Sequence, residues 1–508
     1  MDIDPTPKQS VTSRVARGTG WVIGWRVVSR NLGLLSTLVL VRLLRPEDFG
    51  IVALATGFAS TVDSLSAIGV QDALVREAAP GRDMYDTAFS LNVLRGLVTA
   101  TIIAALAWPI ADFFADHRLV NVMLALALMM LIEAFANIGL INLRRELQFR
   151  TEFRLSVTLR IIGVVLSVVL AFLLRNYWAL VIGLLGGRVL GVMYSYTILP
   201  YWPRPSLRSW RHLIGFSFWS WMGSMLAQVK ERGDSIIIGR ILGTAQFGVF
   251  SIGYEFGALP VTEVIEPLGR ALFSGFALLH RSAESPRRLY LGAVATAIML
   301  ILPAGLGISM VADPMVRVVL GEQWLTAVPV IQIVAIACPV SVFSVVSGTF
   351  LSAGGRPRAA FLLSSVSVSI RIPLMIAMIY LWGLQGAAVG VAIALVIDQG
   401  MFLWHTMRQL GITIIDLLSH AWRPIVASLL MVGCLNQFGM AWTRAGTAHG
   451  WSNTEDLVAR CAIGAATYAV ALIVAWQITG RPDGVERELL TIARTWLRSR
   501  ARGSAGGR

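Results

Sequence analysis

The chain has 508 residues, of which 56 % are hydrophobic and 14 % charged, and its mean hydropathy is +0.69. A soluble globule of this composition would need an enormous core with little polar surface to enclose it. The net charge of +14 comes from basic residues scattered between apolar runs and gathered at the C-terminus, a pattern that fits phospholipid headgroups and topology and excludes nucleic acid as the partner.

A helix needs roughly 20 residues to cross a hydrocarbon layer about 30 Å thick, and apolar runs of about that length recur along nearly the whole chain. They lack the alternation of a lipid-spanning β-barrel strand. Hydrocarbon offers no partner to an open backbone group, so the runs are read as helices. In chain order, a polar leader (1–19) with Lys8, Arg14 and Arg17 shows no signal-peptide cleavage pattern. Six spans follow, near 21–41, 50–70, 88–110, 119–143, 155–174 and 178–199. A linker (201–212) punctuated by Pro203 and Pro205 resists helix continuation. Six more spans lie near 213–239, 247–268, 289–311, 328–351, 359–380 and 384–404, with two last ones near 424–440 and 461–478. The tail (481–508) is polar and basic.

The first elbow between spans reads RLLRPEDFG, Arg42 to Gly50, and it has an echo in RILGTAQFG, Arg240 to Gly248. Each copy joins the first two spans of a six-span half, the mark of an internal duplication. An even number of spans separates the copies, so both halves enter the membrane in one sense. The expected fold is an all-α polytopic membrane protein of fourteen transmembrane helices. Two six-helix lobes (20–200 and 213–405) are expected to be related by a pseudo-two-fold axis along the membrane normal, around a central cavity. Two additional helices occupy 406–480. Arginines concentrate in the loops holding Arg144, Arg145, Arg150 and Arg154, Arg204 and Arg208, Arg287 and Arg288, and Arg356 and Arg358, and again in the tail. The positive-inside bias then puts both termini in the cytoplasm.

A charge at mid-span costs about 2.5–3.5 kcal/mol on insertion scales, so it survives where it faces protein, a wet cavity or headgroups. Arg26 and Arg30 lie one helical turn apart in span one, and with Arg95, Arg188, Lys230 and Arg232 they are the candidates for binding an anionic headgroup, because a guanidinium stays charged and offers forked donors to phosphate. Asp63, Glu255 and Asp398 are candidates for neutralising an arginine, holding a coupling cation or exchanging a proton. Internal ion pairing or snorkelling is the competing structural reading. No Walker lysine motif, HExxH, CxxC or nucleophile elbow occurs in a suitable context, and Cys338, Cys434 and Cys461 have no metal-ligand or disulfide spacing. Neither an enzyme, nor a metal site, nor a cofactor is expected.

Four stretches carry a resemblance: RLLRPEDFGIVALA at 42–55, LRRELQFR at 143–150, DSIIIGRILGTAQFGVFSIGY at 234–254 and GEQWLTAVPVIQI at 321–333. The chain resembles the polysaccharide-transporter branch of the multidrug/oligosaccharidyl-lipid/polysaccharide exporter superfamily. The resemblance implies two six-helix lobes, and movement of an undecaprenyl-diphosphate-linked oligosaccharide from the inner to the outer leaflet of a bacterial cytoplasmic membrane, for exopolysaccharide, capsule or O-antigen. It implies cationic cavity residues, which look like Arg26 and Arg30, and as partners membrane lipids with a polysaccharide polymerase and glycosyltransferases. Two other readings stay open: a cation-coupled exporter of small amphipathic molecules, kept alive by Trp219 and Trp221, and a non-transporting assembly factor for polysaccharide synthesis.

Overall fold

The computed structural model describes residues 11–66, 74, 80–145, 149–198, 201–210, 218–282, 285–353, 357–443 and 452–480. The expected cytoplasmic placement of the two termini, the basic tail, and parts of the basic loops at 147–150 and 354–358 lie outside them. The described residues form an all-helical, multi-pass membrane protein in which ten helices are long and apolar enough to cross a membrane. Large apolar side chains point outward along these helices, Leu173 and Tyr380 each being 74 % exposed. That arrangement is stable only where the surroundings are hydrocarbon.

The chain divides into two compact units, Met1–Gly248 and Val249–Arg508. The first holds α1 (Val11–Leu43), α2 (Pro46–Ser66), α3 (Arg82–Phe114), α4 (Arg118–Ala134), a short α5 (Ile141–Arg145), α6 (Phe149–Leu174), α7 (Trp178–Ile198) and the larger part of α8 (Phe218–Gly257). Here α3 lies on α4, α6 on α7, and α1 on α6. No proline interrupts α1, which reaches back to Val11, beyond the expected start of span one.

The elbow between α1 and α2 follows from its letters. Pro46 opens α2 with a φ already helical and no N–H to leave unpaired. Glu47 and Asp48 lie in the positive first turn, and the Asp48 carboxylate accepts the Arg45 N–H at 2.9 Å and the Tyr177 N–H at 2.9 Å. The second copy has no such acids. It breaks its helix at Gly243, φ +82°, the position that Arg45 holds in the first copy, and glycine takes that conformation without a Cβ penalty. The two copies meet reciprocally. A Cβ on Gly50 would land on the carbonyl oxygen of Thr244, and a Cβ on Gly248 would land on the carbonyl oxygen of Pro46. Thr244 and Pro46 occupy the same place in their motifs, so each copy offers its glycine to the other's backbone. The closing glycine of the motif is thus a packing requirement.

The linker is bound to the start of α3. Tyr201 Oη donates to Asp86 Oδ1 at 2.7 Å, Arg204 N–H to the same oxygen at 2.9 Å, and Ser206 N–H to Ser90 Oγ at 2.9 Å. Burial, then the Asp86 carboxylate beside it, raises the Tyr201 phenol well above its ordinary range.

The second unit continues with α9 (Leu259–Ser282), α10 (Arg287–Met315), α11 (Val328–Ala337), α12 (Val342–Ala353), α13 (Pro357–Leu410), α14 (Ile414–Gln437) and α15 (Asn453–Ile478). A break at Trp382 and Gly383 divides α13. Leu272, Phe276, Tyr290, Val294 and Val346 form a core shared by α9, α10 and α12. The GEQW stretch turns the chain from α10 to α11: Gly321 has φ +101° and Trp324 is fully buried. Both last helices start earlier than their apolar runs. Capping boxes at Thr413/Asp416 and Ser452/Glu455 open them, giving 24 and 26 residues. The early start of α15 carries Asp456 and Arg460 into the core, where Arg460 is 1 % exposed.

Candidate functional site

Four charged side chains from four helices of the first unit make two ion pairs. Arg95 on α3 donates to Asp63 Oδ1 on α2 at 2.8 Å. Arg188 on α7 donates to Glu133 Oε1 on α4 at 2.7 Å. Asp63, Arg95 and Glu133 border one cavity of about 280 Å³, together with Asn92, Asn137 and Ser156. The wall is built by the end of α4. Asn92 Nδ2 donates to the Ala134 carbonyl at 3.0 Å. The buried Asn137 side chain accepts the Gly139 N–H at 2.8 Å and opens a 3₁₀ turn that leads into α5. Thr99 Oγ1 donates to Ser66 Oγ at 2.9 Å, fixing α2 against α3.

The pairs are not sealed in the core. The side chains are 24 % exposed for Arg95, 41 % for Asp63, 53 % for Arg188 and 40 % for Glu133. A guanidinium of that exposure keeps donors for a further anion, while its carboxylate fixes its direction. Chemically the arrangement can hold an anionic group or exchange one anion for another. The described residues contain no group of three or more His, Cys, Asp or Glu that would hold a metal ion.

The other expected residues lie as follows. Arg26 and Arg30 are on α1, with Arg30 half-buried; the side chains of Arg26 and Lys230 lie outside the described residues. Arg232 on α8 is half-buried beside a second cavity, of about 130 Å³, lined also by Gly57, Phe58, Thr61, Gln228 and Ser235. Glu255 and Asp398 belong to the second unit. Glu255 is exposed, whereas Asp398 is buried and accepts from Gln399 Nε2 at 3.3 Å. Thus Asp63 joins Arg95 within the first unit.

Sequence reading left Gln228, Thr61 and Phe58 without a role, because a lone glutamine, threonine or phenylalanine in an apolar run carries no pattern. Nothing in the sequence ties Glu133 to its partner, 55 positions away. One further cluster fixes the elbow. Arg118 makes a forked pair with Asp116, at 2.9 and 2.8 Å, and reaches Glu47 at 3.4 Å. Thr244 Oγ1 of the second motif copy donates to Asp116 Oδ2 at 3.1 Å. Burial pushes the Asp116 carboxyl up, but the hydrogen bonds and charge of Arg118 outweigh it and hold the group below the usual carboxylate range.

Comparison with known proteins agrees with this architecture. Residues 39–329 match the profile of the family described as polysaccharide biosynthesis protein. The chain is similar to the succinoglycan biosynthesis transport protein ExoT of Rhizobium meliloti (strain 1021), with 25 % identity over 91 % of this chain and 93 % of the relative. It is also similar to an uncharacterized membrane protein in the cps region of Klebsiella pneumoniae, with 23 % identity over 83 % of this chain and 88 % of the other. Among solved structures it shares the fold of the lipid II flippase MurJ in an inward closed conformation, with a TM-score of 0.72, 15 % identity, and coverage of 90 % of this chain and 100 % of that one. The matched profile spans more than half of the chain, and it shows that the protein belongs to the polysaccharide biosynthesis protein family.

Proposed function

We propose that the protein is a flippase of the bacterial inner membrane that moves an undecaprenyl-diphosphate-linked oligosaccharide from the inner to the outer leaflet. Its product would feed exopolysaccharide, capsule or O-antigen synthesis beside a polymerase and glycosyltransferases. The observation that carries this reading is the pair of arginine–carboxylate bridges bordering a polar cavity inside helices whose outer faces are apolar. Diphosphate and sugar hydroxyls cannot cross hydrocarbon unaided, because each polar group would lose its hydrogen bonds with water. A wet, charged interior removes that penalty while the prenyl tail stays in lipid.

The residues act by binding, with no covalent step. Asp63 and Glu133 hold Arg95 and Arg188 oriented when no substrate is bound, and the diphosphate competes with these carboxylates for the same donors. Arg26, Arg30, Lys230 and Arg232 supply further positive charge toward the anionic substrate, with Glu255 and Asp398 as charge-balancing or coupling groups. Fourteen spans in two six-helix lobes and two C-terminal helices carry out the exchange by alternating access; the reciprocal contact of Gly50 and Gly248 supports a two-fold relation between the repeats. The test is flipping of a fluorescent undecaprenyl-diphosphate oligosaccharide by the full chain in proteoliposomes. Wild type is expected to translocate it, and Arg26→Ala with Arg30→Ala to abolish translocation while still inserting. Absence of flipping by the wild type would remove the proposal.

A further inference from the structure

The second cavity of the first unit contains two groups whose needs match one chemical class. Gln228 spends its amide on Ser64, Nε2 donating to Ser64 Oγ at 3.0 Å. Its carbonyl Oε1 is buried and has no hydrogen-bond partner among the described residues, and the same holds for Arg232 Nε. The two residues are one helical turn apart on α8, hence on one face, and both line the cavity of about 130 Å³. An orphaned acceptor and an orphaned donor on two residues bordering one cavity each carry a desolvation cost, and buried polar groups in folded proteins ordinarily find partners.

A ligand that answers both must donate to Gln228 Oε1 and accept from Arg232 Nε. A phosphate or carboxylate would satisfy the arginine but set negative charge against the glutamine carbonyl. An ammonium would do the reverse. A hydroxyl does both at once. The remaining wall is mostly apolar and suits the face of a sugar ring: Phe58 adds an aromatic ring held edge-on by Phe114 at 5.7 Å between centroids, and Thr61 and Ser235 are the other hydroxyl-bearing residues. At about 130 Å³ the space is smaller than the roughly 300–1,000 Å³ of a drug-sized ligand site, so it admits part of one sugar and no more. We infer that this cavity reads a hydroxyl of one sugar of the lipid-linked oligosaccharide, with Gln228 and Arg232 holding the hydroxyl and Phe58 packing against the ring. The inference rests on the flippase reading and assigns Arg232 to the sugar.

The test uses the full chain in lipid nanodiscs and two probes: undecaprenyl diphosphate, and undecaprenyl diphosphate bearing a single glucose. Wild type is expected to bind the glucose-bearing lipid about tenfold more tightly, the worth of one well-made hydrogen-bonded contact. Gln228→Leu is expected to lose that preference while bare diphosphate lipid binds as before. Gln228→Met, closer in length, serves if Gln228→Leu does not fold. An undiminished preference in the Gln228 variant overturns the subsite. Equal binding of both lipids by wild type also overturns it but leaves the flippase reading standing, whereas binding of neither defeats both.

Discussion

Arg460 donates from all three of its guanidinium nitrogens inside the second unit. Nε and Nη2 grip Asp456 at 2.9 and 2.8 Å, and Nη1 reaches the carbonyls of Met440 and Thr443 at 2.5 and 3.2 Å. Breaking a buried pair from one side leaves an uncompensated charge, at a cost of about 3–5 kcal/mol. Arg460→Ala should therefore lower the thermal unfolding midpoint in detergent sharply, whereas Arg460→Met combined with Asp456→Leu should recover most of the loss. A single variant as stable as wild type would show that the cluster does not hold α15. The half-exposed pair of Arg95 and Asp63 behaves differently. An ion pair at that exposure is worth about 0.2–1 kcal/mol, so Asp63→Asn should free Arg95 for phosphate and tighten binding of undecaprenyl diphosphate about two- to fivefold. Unchanged or weaker binding, measured by titration in nanodiscs, would place Arg95 outside the headgroup site.

At the scale of elements, the elbows govern how α2 and α8 approach. A side chain at Gly50 or Gly248 meets a backbone carbonyl, which cannot rotate aside as a side chain can. Gly50→Val and Gly248→Val should each cost at least the roughly 1–3 kcal/mol of ordinary overpacking and cut flipping in proteoliposomes. Wild-type transport and thermal stability in both variants would mean that the helices can part freely. The turn between α3 and α4 adds a pH-dependent tie. Asp116 has its folded pKa depressed below 3.8, so its contribution is fully present above the unfolded value of about 3.9 and is lost as pH falls through the folded one. Thermal unfolding followed from about pH 6 to about pH 3 should show a steeper acid loss in wild type than in Asp116→Asn; identical acid limbs would contradict the assignment.

For the whole molecule, the long apolar runs made the membrane class and helical architecture legible, because a hydrocarbon solvent leaves the backbone few choices. The duplicated elbow was legible as well, and Pro46, Gly50 and Gly248 in it each have a visible structural duty. Helix starts were less so. The openings of α14 and α15 depend on capping side chains in polar stretches, which hydropathy alone assigns to loops. Which carboxylate meets which arginine was not legible: Asp63 and Arg95 are 32 positions apart, Glu133 and Arg188 are 55, and nothing in the spacing of either residue names the other. Sequence by itself determined that this chain lives in lipid, repeats its opening hairpin and carries charged residues into its apolar runs. Only the tertiary structure decided that Arg95 pairs with Asp63 and Arg188 with Glu133, and that a glutamine and an arginine border one small cavity. Pairing and burial depend on distances between helices, and a one-dimensional pattern records the faces of each helix but not the neighbour each face will meet.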